Sequence, residues 1–159
     1  MKRTNVKTIT YSAIIASLYV VLTFISNAMG LANGAIQIRL SEVLTVLPYF
    51  TPYAIPGLFV GCMLSNILIG SVIWDVIFGS LATLIGAVGT YSLRKHKWLA
   101  PISPIISNTF IIPLVLSFAY DVSEVLPYLM LTVGIGEIIS AGILGMVLLT
   151  SISKHKNIF

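Results

Sequence analysis

The sequence predicts an all-α integral membrane protein, a bundle of six transmembrane helices, and three observations lead there. First, hydrophobic residues fill 57% of the 159 positions and charged residues only 9%, with a mean hydropathy of +1.02. An ordinary soluble domain carries about 25% charged residues, so this chain has too few to cover a water-facing surface. Second, Lys2, Arg3 and Lys7, then Arg94, Lys95 and Lys97, then Lys154 and Lys156 form three tight clusters between long apolar runs. That is the pattern of cytoplasmic flanks, and it reads the net charge of +4 as membrane topology rather than as a nucleic-acid footprint. Third, clusters on one side of a membrane require an even number of crossings between them.

The parity argument places each element. Ile9 to Ala28 carries no charged residue and is long enough to cross a hydrocarbon layer of roughly 30 Å. A basic start and apolar run also describe a secretory signal, with Ala28-Met29-Gly30 as a cleavage site. The run exceeds the usual core of roughly 7 to 15 residues, so a retained first helix is expected. Residues 40 to 93 are broken by Pro48, Pro52, Pro56, Gly57, Gly61, Gly70 and Gly79 without a clear polar loop. They must supply an odd number of crossings and are too long for one. Three helices are expected, Leu40 to Phe50, Tyr53 to Ile69 and Ile73 to Ser92, followed by Leu99 to Ala119 and Val125 to Ser151. Both termini are then cytoplasmic, and Arg39 alone among the basic residues lies outside, with Asp121 and Glu124. The second helix is short and bounded by prolines, so it is expected to lean into the bundle, where freed backbone groups avoid lipid.

One domain, 1–159, accounts for the whole chain. At 17.2 kDa it leaves no room for a soluble ATPase beside the bundle, so uphill work needs an ion gradient or a partner. The single Cys62 allows neither an internal disulfide nor a zinc cluster, and no metal or cofactor is expected. There is no phosphate-binding GxxxxGK[ST], HExxH or GxSxG motif, so no catalytic residue is assigned. His96 and His155 sit among lysines and read as solvated flanks.

Small residues line one stripe on several helices: Gly57, Gly61 and Ser65; Ala82, Gly86 and Thr90; Ala141 and Gly145. Such stripes let helices approach closely. Ser12, Ala13, Ala16 and Ser17 on the first helix fit the same internal packing, or equally a flat docking face for another membrane subunit.

Ionisable groups inside membrane segments are costly and usually pair or line a functional cavity. Glu137 falls near mid-depth in the last helix, on the side of Gly134, Ser140 and Ala141. It either bonds Asn108, at similar depth in the fifth helix, or receives a ligand. Arg39, Glu42 and Asp75 fall together at the outer ends of the second and fourth helices, as a structural cluster or as the rim of an outward-facing pocket. Trp74 and Phe78, one turn apart beside Asp75, offer stacking surfaces for a planar ligand. Trp74 and Tyr53 fit membrane-interface anchors equally well.

The run Ile36-Gln37-Ile38-Arg39-Leu40-Ser41-Glu42-Val43-Leu44-Thr45-Val46-Leu47-Pro48 is followed by Thr51-Pro52 and by Ala54-Ile55-Pro56-Gly57-Leu58-Phe59-Val60-Gly61-Cys62. With Asp75-Val76-Ile77-Phe78-Gly79-Ser80-Leu81-Ala82-Thr83-Leu84 it resembles the QueT family over essentially the whole chain. The resemblance implies a substrate-binding S component of an energy-coupling factor (ECF) transporter for queuosine precursors, six helices with both termini inside, and no enzymatic activity. It implies partners: a transmembrane coupling subunit and two cytoplasmic ATPases. The superfamily's Ala-xxx-Ala docking surface would correspond here to Ala13-xxx-Ser17, a departure that keeps the small size. A 7-deazaguanine such as preQ0, preQ1 or queuine presents adjacent N–H donors that a carboxylate accepts in bidentate fashion. Glu137 is then expected at that edge, Asn108 at the ring carbonyl, Asp75 or Glu42 at the amine of some precursors, and Trp74 or Phe78 against the ring, with Arg39 at the rim. The competing expectations are an S component for another nutrient such as a vitamin, an autonomous ion-coupled carrier, and a small membrane enzyme.

Overall fold

The computed structural model of the chain describes residues 3–32, 36–120 and 123–154, with side chains from residue 6 onward. Lys2, Asp121, His155 and Lys156, assigned above to the flanks and the outer loop, lie outside the described residues. Among those residues are six main helical segments and no strand. They are α1 (Arg3–Ala28), a 3-10 helix (Leu40–Tyr49), α2 (Ala54–Leu68), α3 (Ile73–Ser92), α4 (Ile102–Ala119) and a last helix running Leu126–Lys154. A short 3-10 turn, Lys97–Leu99, leads into α4. Four stretches, Val6–Ala28, Ile73–Ser92, Lys97–Ala119 and Leu126–Lys154, are long and apolar enough to cross a membrane, whereas Ala54–Leu68 is apolar but shorter.

The element most open to error in the sequence is the most unusual in the structure. The second segment winds as a 3-10 helix of 10 residues with Pro48 inside it, where runs beyond three or four residues are uncommon. Ser41, Glu42, Leu44, Thr45, Val46, Leu47 and Pro48 are all buried, so this helix is a core element packed among the others. Its start is tied to the end of α1, where the Leu40 amide donates to Ser26 Oγ at 2.8 Å. The turns that leave α1 and α2 use glycine in the left-handed region, Gly30 at φ 71 and Gly70 at φ 78. Each closes by a backbone bond reaching back five residues, Leu31 N to Ser26 O at 3.0 Å and Ser71 N to Asn66 O at 2.9 Å.

The small-residue stripes explain how the helices pack. A Cβ on Gly57 would come within 2.7 Å of the Ser12 carbonyl, and one on Gly61 within 2.8 Å of Tyr19 Cβ, so α1 and α2 touch backbone to backbone. On α3, a Cβ at Gly86 would meet Pro104 Cα at 2.8 Å, and one at Gly89 would overlap Ser103. Gly145 of the last helix lies against Val46 of the 3-10 helix. The apolar core gathers Ile15, Tyr19, Leu44, Leu47, Leu58 and Cys62 around the 3-10 helix, with a second group of Ala82, Ile112 and Val133 between α3, α4 and the last helix. Ser12 and Ala16 both contact the α2 side of the bundle. Ser12 Oγ donates to the Tyr53 carbonyl at 2.9 Å, and Ala16 is buried against Gly61, while Ala13 and Ser17 face outward.

Candidate functional site

The last helix is not regular. Its α-helical first part ends at Glu137, and residues Ile138–Leu144 widen into a π turn before the α-helix resumes at Gly145. Such insertions rotate the side chains that follow and recur at functional sites. Here the π turn starts immediately after Glu137, whose carboxylate is carried inside the bundle with 6% of its surface exposed.

Around it the structure collects a small polar cavity of about 10 Å³, room for about one water. Its walls come from every inner element: Gln37, Arg39 and Glu42 before and within the 3-10 helix, Gly79 and Thr83 of α3, Asn108 and Ile112 of α4, and Val133 and Glu137 of the last helix. Glu42 is 2% exposed and fully engaged. Its Oε1 accepts a short hydrogen bond from the Tyr19 hydroxyl, and its Oε2 accepts from Asn108 Nδ2 at 3.3 Å. The Asn108 side chain also faces Glu137. Glu137 Oε2, in contrast, is buried with no hydrogen-bond partner, as is Ser140 Oγ three residues further on. A buried carboxylate oxygen without a partner is rare and costly, and it calls for a ligand or a proton.

Two glycines make the room. Gly79 has no side chain where a Cβ would press on Asn66 Nδ2 and Asp75 Oδ1 at 3.1 Å each. Gly136 lies directly under the Gln37 carbonyl, which any Cβ would overlap. This close approach lets the chain before the 3-10 helix bring Gln37 and Arg39 beside Glu137.

The sequence-predicted residues therefore divide. Glu137, Asn108, Glu42 and Arg39 converge on one cavity. Asp75 is buried next to it but outside its walls; its Oδ2 accepts from Tyr120 OH and its backbone carbonyl from Asn66 Nδ2, both at 3.2 Å. Trp74 and Phe78 do not line this cavity. They are 54% and 41% exposed on the outer surface of α3 and stack on each other, with ring centroids 6.0 Å apart. The reason is helical: Asp75, Gly79 and Thr83 share the inward stripe, and Trp74 and Phe78 are each one residue, about 100°, away from it.

Tyr19, Gln37 and Thr83 were not singled out from the sequence. A signal existed for two of them. Ser12, Tyr19, Thr23 and Ser26 recur at helical spacing on an otherwise apolar span, and Thr83 continues the Asp75–Gly79 stripe by four. Gln37 lies in an irregular segment where periodicity has no meaning.

A family model described as QueT transporter matches residues 9–154. The chain belongs to the QueT transporter family. This makes it a multi-pass membrane protein of a transporter family, in agreement with its four membrane-length apolar helices. A curated family relative, the queuosine precursor transporter QueT of Lactococcus lactis subsp. cremoris (strain MG1363), is 41% identical over 86 residues. That match covers 54% of this chain and 50% of the relative, so it spans about half the relative's length. No solved structure matches the chain.

Proposed function

We propose that this protein is the substrate-binding component of an ECF importer, with six crossings and both termini in the cytoplasm. It captures a 7-deazaguanine queuosine precursor from outside for ATP-driven uptake by partner subunits. The observation that carries the reading is the unpartnered Glu137 Oε2 beside a polar cavity that Arg39, Glu42 and Asn108 share. A deazaguanine's pairing edge supplies two adjacent N–H donors to that carboxylate, a charge-assisted contact of the strong kind. In this reading Asn108 and Glu42 give up the hydrogen bond between them, the Asn108 amide serving the ring carbonyl and the Glu42 carboxylate a cationic amine. The planar guanidinium of Arg39 and the apolar side chains of Ile112 and Val133 supply the surfaces that a flat ring needs.

A cavity with room for about one water does not admit a bicyclic base. Binding in this reading therefore moves at least one wall, and affinity reflects the cost of that opening. Nothing in the cavity resembles a nucleophile activated by a base, and the protein in this reading performs no bond chemistry. Energy comes from ATPases on separate chains, through a coupling subunit that meets the outward-facing Ala13 and Ser17 of α1.

The test is a ligand panel on purified protein: preQ0, preQ1 and queuine against unrelated vitamins, read by calorimetry. Selective binding of the deazaguanines supports the reading, and equal or weaker binding than the vitamins overturns it. Uptake by the reconstituted protein alone, without ATP or partners, would replace the mechanism with an autonomous carrier.

A further inference from the structure

On the far side of the α3–α4 wall from the polar cavity lies a second and much larger space. A groove of about 760 Å³ runs between the two helices, lined by Trp74, Phe78, Leu81 and Ile85 of α3 and by Ile111, Leu114, Val115, Phe118 and Ala119 of α4. The helices are held together at one end, where Gly86 meets Pro104 and Gly89 meets Ser103. Bulky side chains replace the glycines toward the other end, and Pro113 lies inside α4 within the lined stretch. The groove faces outward, since Trp74, Phe78, Leu114 and Phe118 are all exposed on the outer surface.

We propose that one acyl chain of a bilayer phospholipid occupies this groove as a bound lipid, distinct from the exchanging lipids around the protein. The groove opens directly onto the lipid boundary of a multi-pass membrane protein, so hydrocarbon is the solvent at its mouth. From Trp74 to Ile85 it runs about 16 Å along α3 at roughly 1.5 Å per residue. That is close to half of a hydrocarbon core of roughly 30 Å, the depth one chain reaches from one interface. A partner helix is the poorer occupant, because helix–helix contacts in membranes favour small residues that allow close approach. Among the lining residues Ala119 alone is small; the rest are aromatic or branched and leave a deep irregular slot that a flexible chain fills and a rigid rod does not. Trp74 at the mouth carries the ring N–H of an interfacial tryptophan, suited to the headgroup end of the same lipid.

The chain has two tryptophans, and they make an internal comparison possible. Trp74 lines the groove, and Trp98 lies in the turn before α4 with 77% of its surface exposed. Trp98→Phe leaves Trp74 as the reporter and Trp74→Phe leaves Trp98. Each variant, in detergent, is titrated with phosphatidylcholine brominated along its acyl chains, a quencher of tryptophan on contact. A bound chain predicts half-quenching of Trp74 at a lipid mole fraction about tenfold lower than for Trp98, and Ala119→Phe in the Trp98→Phe background, by narrowing the slot, moves the Trp74 half-point toward the Trp98 value. Equal half-points for the two tryptophans overturn the proposal, as does a Trp74 half-point that Ala119→Phe does not move. Should Ala119→Phe fail to fold, Leu81→Phe on the α3 side of the groove serves the same purpose. No ligand of the polar cavity is used, so the outcome is independent of the transport reading.

Discussion

Replacing Glu137 by Gln separates a ligand-binding carboxylate from a structural one, because the two roles move stability and affinity in opposite ways. Glu137 is buried, and one of its oxygens has no partner. The ligand-free protein thus loses no hydrogen bond at that oxygen when the charge is removed, and it is relieved of a buried carboxylate beside Glu42. The amide is nearly the same shape, so the packing around it is kept. Thermal unfolding of Glu137→Gln is therefore expected at the wild-type temperature or above it. Deazaguanine binding behaves differently, since a hydrogen bond to a charged group contributes about 1.5–3 kcal/mol. Its loss corresponds to a fall in affinity of roughly 10- to 150-fold. Calorimetry on the purified protein measures the affinity, and a fluorescence melt without ligand measures the stability. Unchanged affinity refutes the assignment of Glu137 to the ligand. A clear drop in melting temperature without ligand refutes the premise that its carboxylate is unsatisfied.

Four further outcomes follow from the same geometry. Tyr19→Phe leaves Glu42 Oε1 without its buried donor and should cost about 1–3 kcal/mol of stability in a ligand-free melt. Gly61→Val forces a side chain into the α1 contact beside Tyr19 and Ala16, and overpacking of that kind costs about 1–3 kcal/mol on the same measurement. Trp74→Ala and Phe78→Ala should leave deazaguanine affinity at the wild-type value, since both rings face the outside of α3; a large loss in either would place the ligand elsewhere. Ala13→Trp, on the outward face of α1, should abolish copurification with coupling-subunit and ATPase partners while ligand binding persists; loss of both together would assign that face to packing within the bundle.

Much of the architecture was already legible as composition and punctuation. Apolar runs of membrane length with basic clusters between them leave few alternatives to an all-helical membrane protein, because lipid tolerates only backbones that satisfy their own hydrogen bonds. The glycine stripes were equally readable: Gly57, Gly61 and Gly86 sit where spacing suggested, each under a neighbouring backbone. The presence of costly groups was visible too, since Glu137 and Asn108 interrupt apolar runs of membrane length near mid-depth.

Which of those groups meet was decided by tertiary structure. Glu42 and Glu137 are far apart in the chain and share a cavity because the Pro48-bearing segment coils into a buried 3-10 helix and Gly136 admits the Gln37 backbone against the last helix. No local pattern encodes that approach, because it depends on the path of an irregular segment across the bundle. Asp75 and Trp74 show the same point at the scale of one residue. They are neighbours in sequence, yet one is buried beside the polar site and the other faces the lipid, since a helix turns about 100° per residue and only packing fixes which direction is inward.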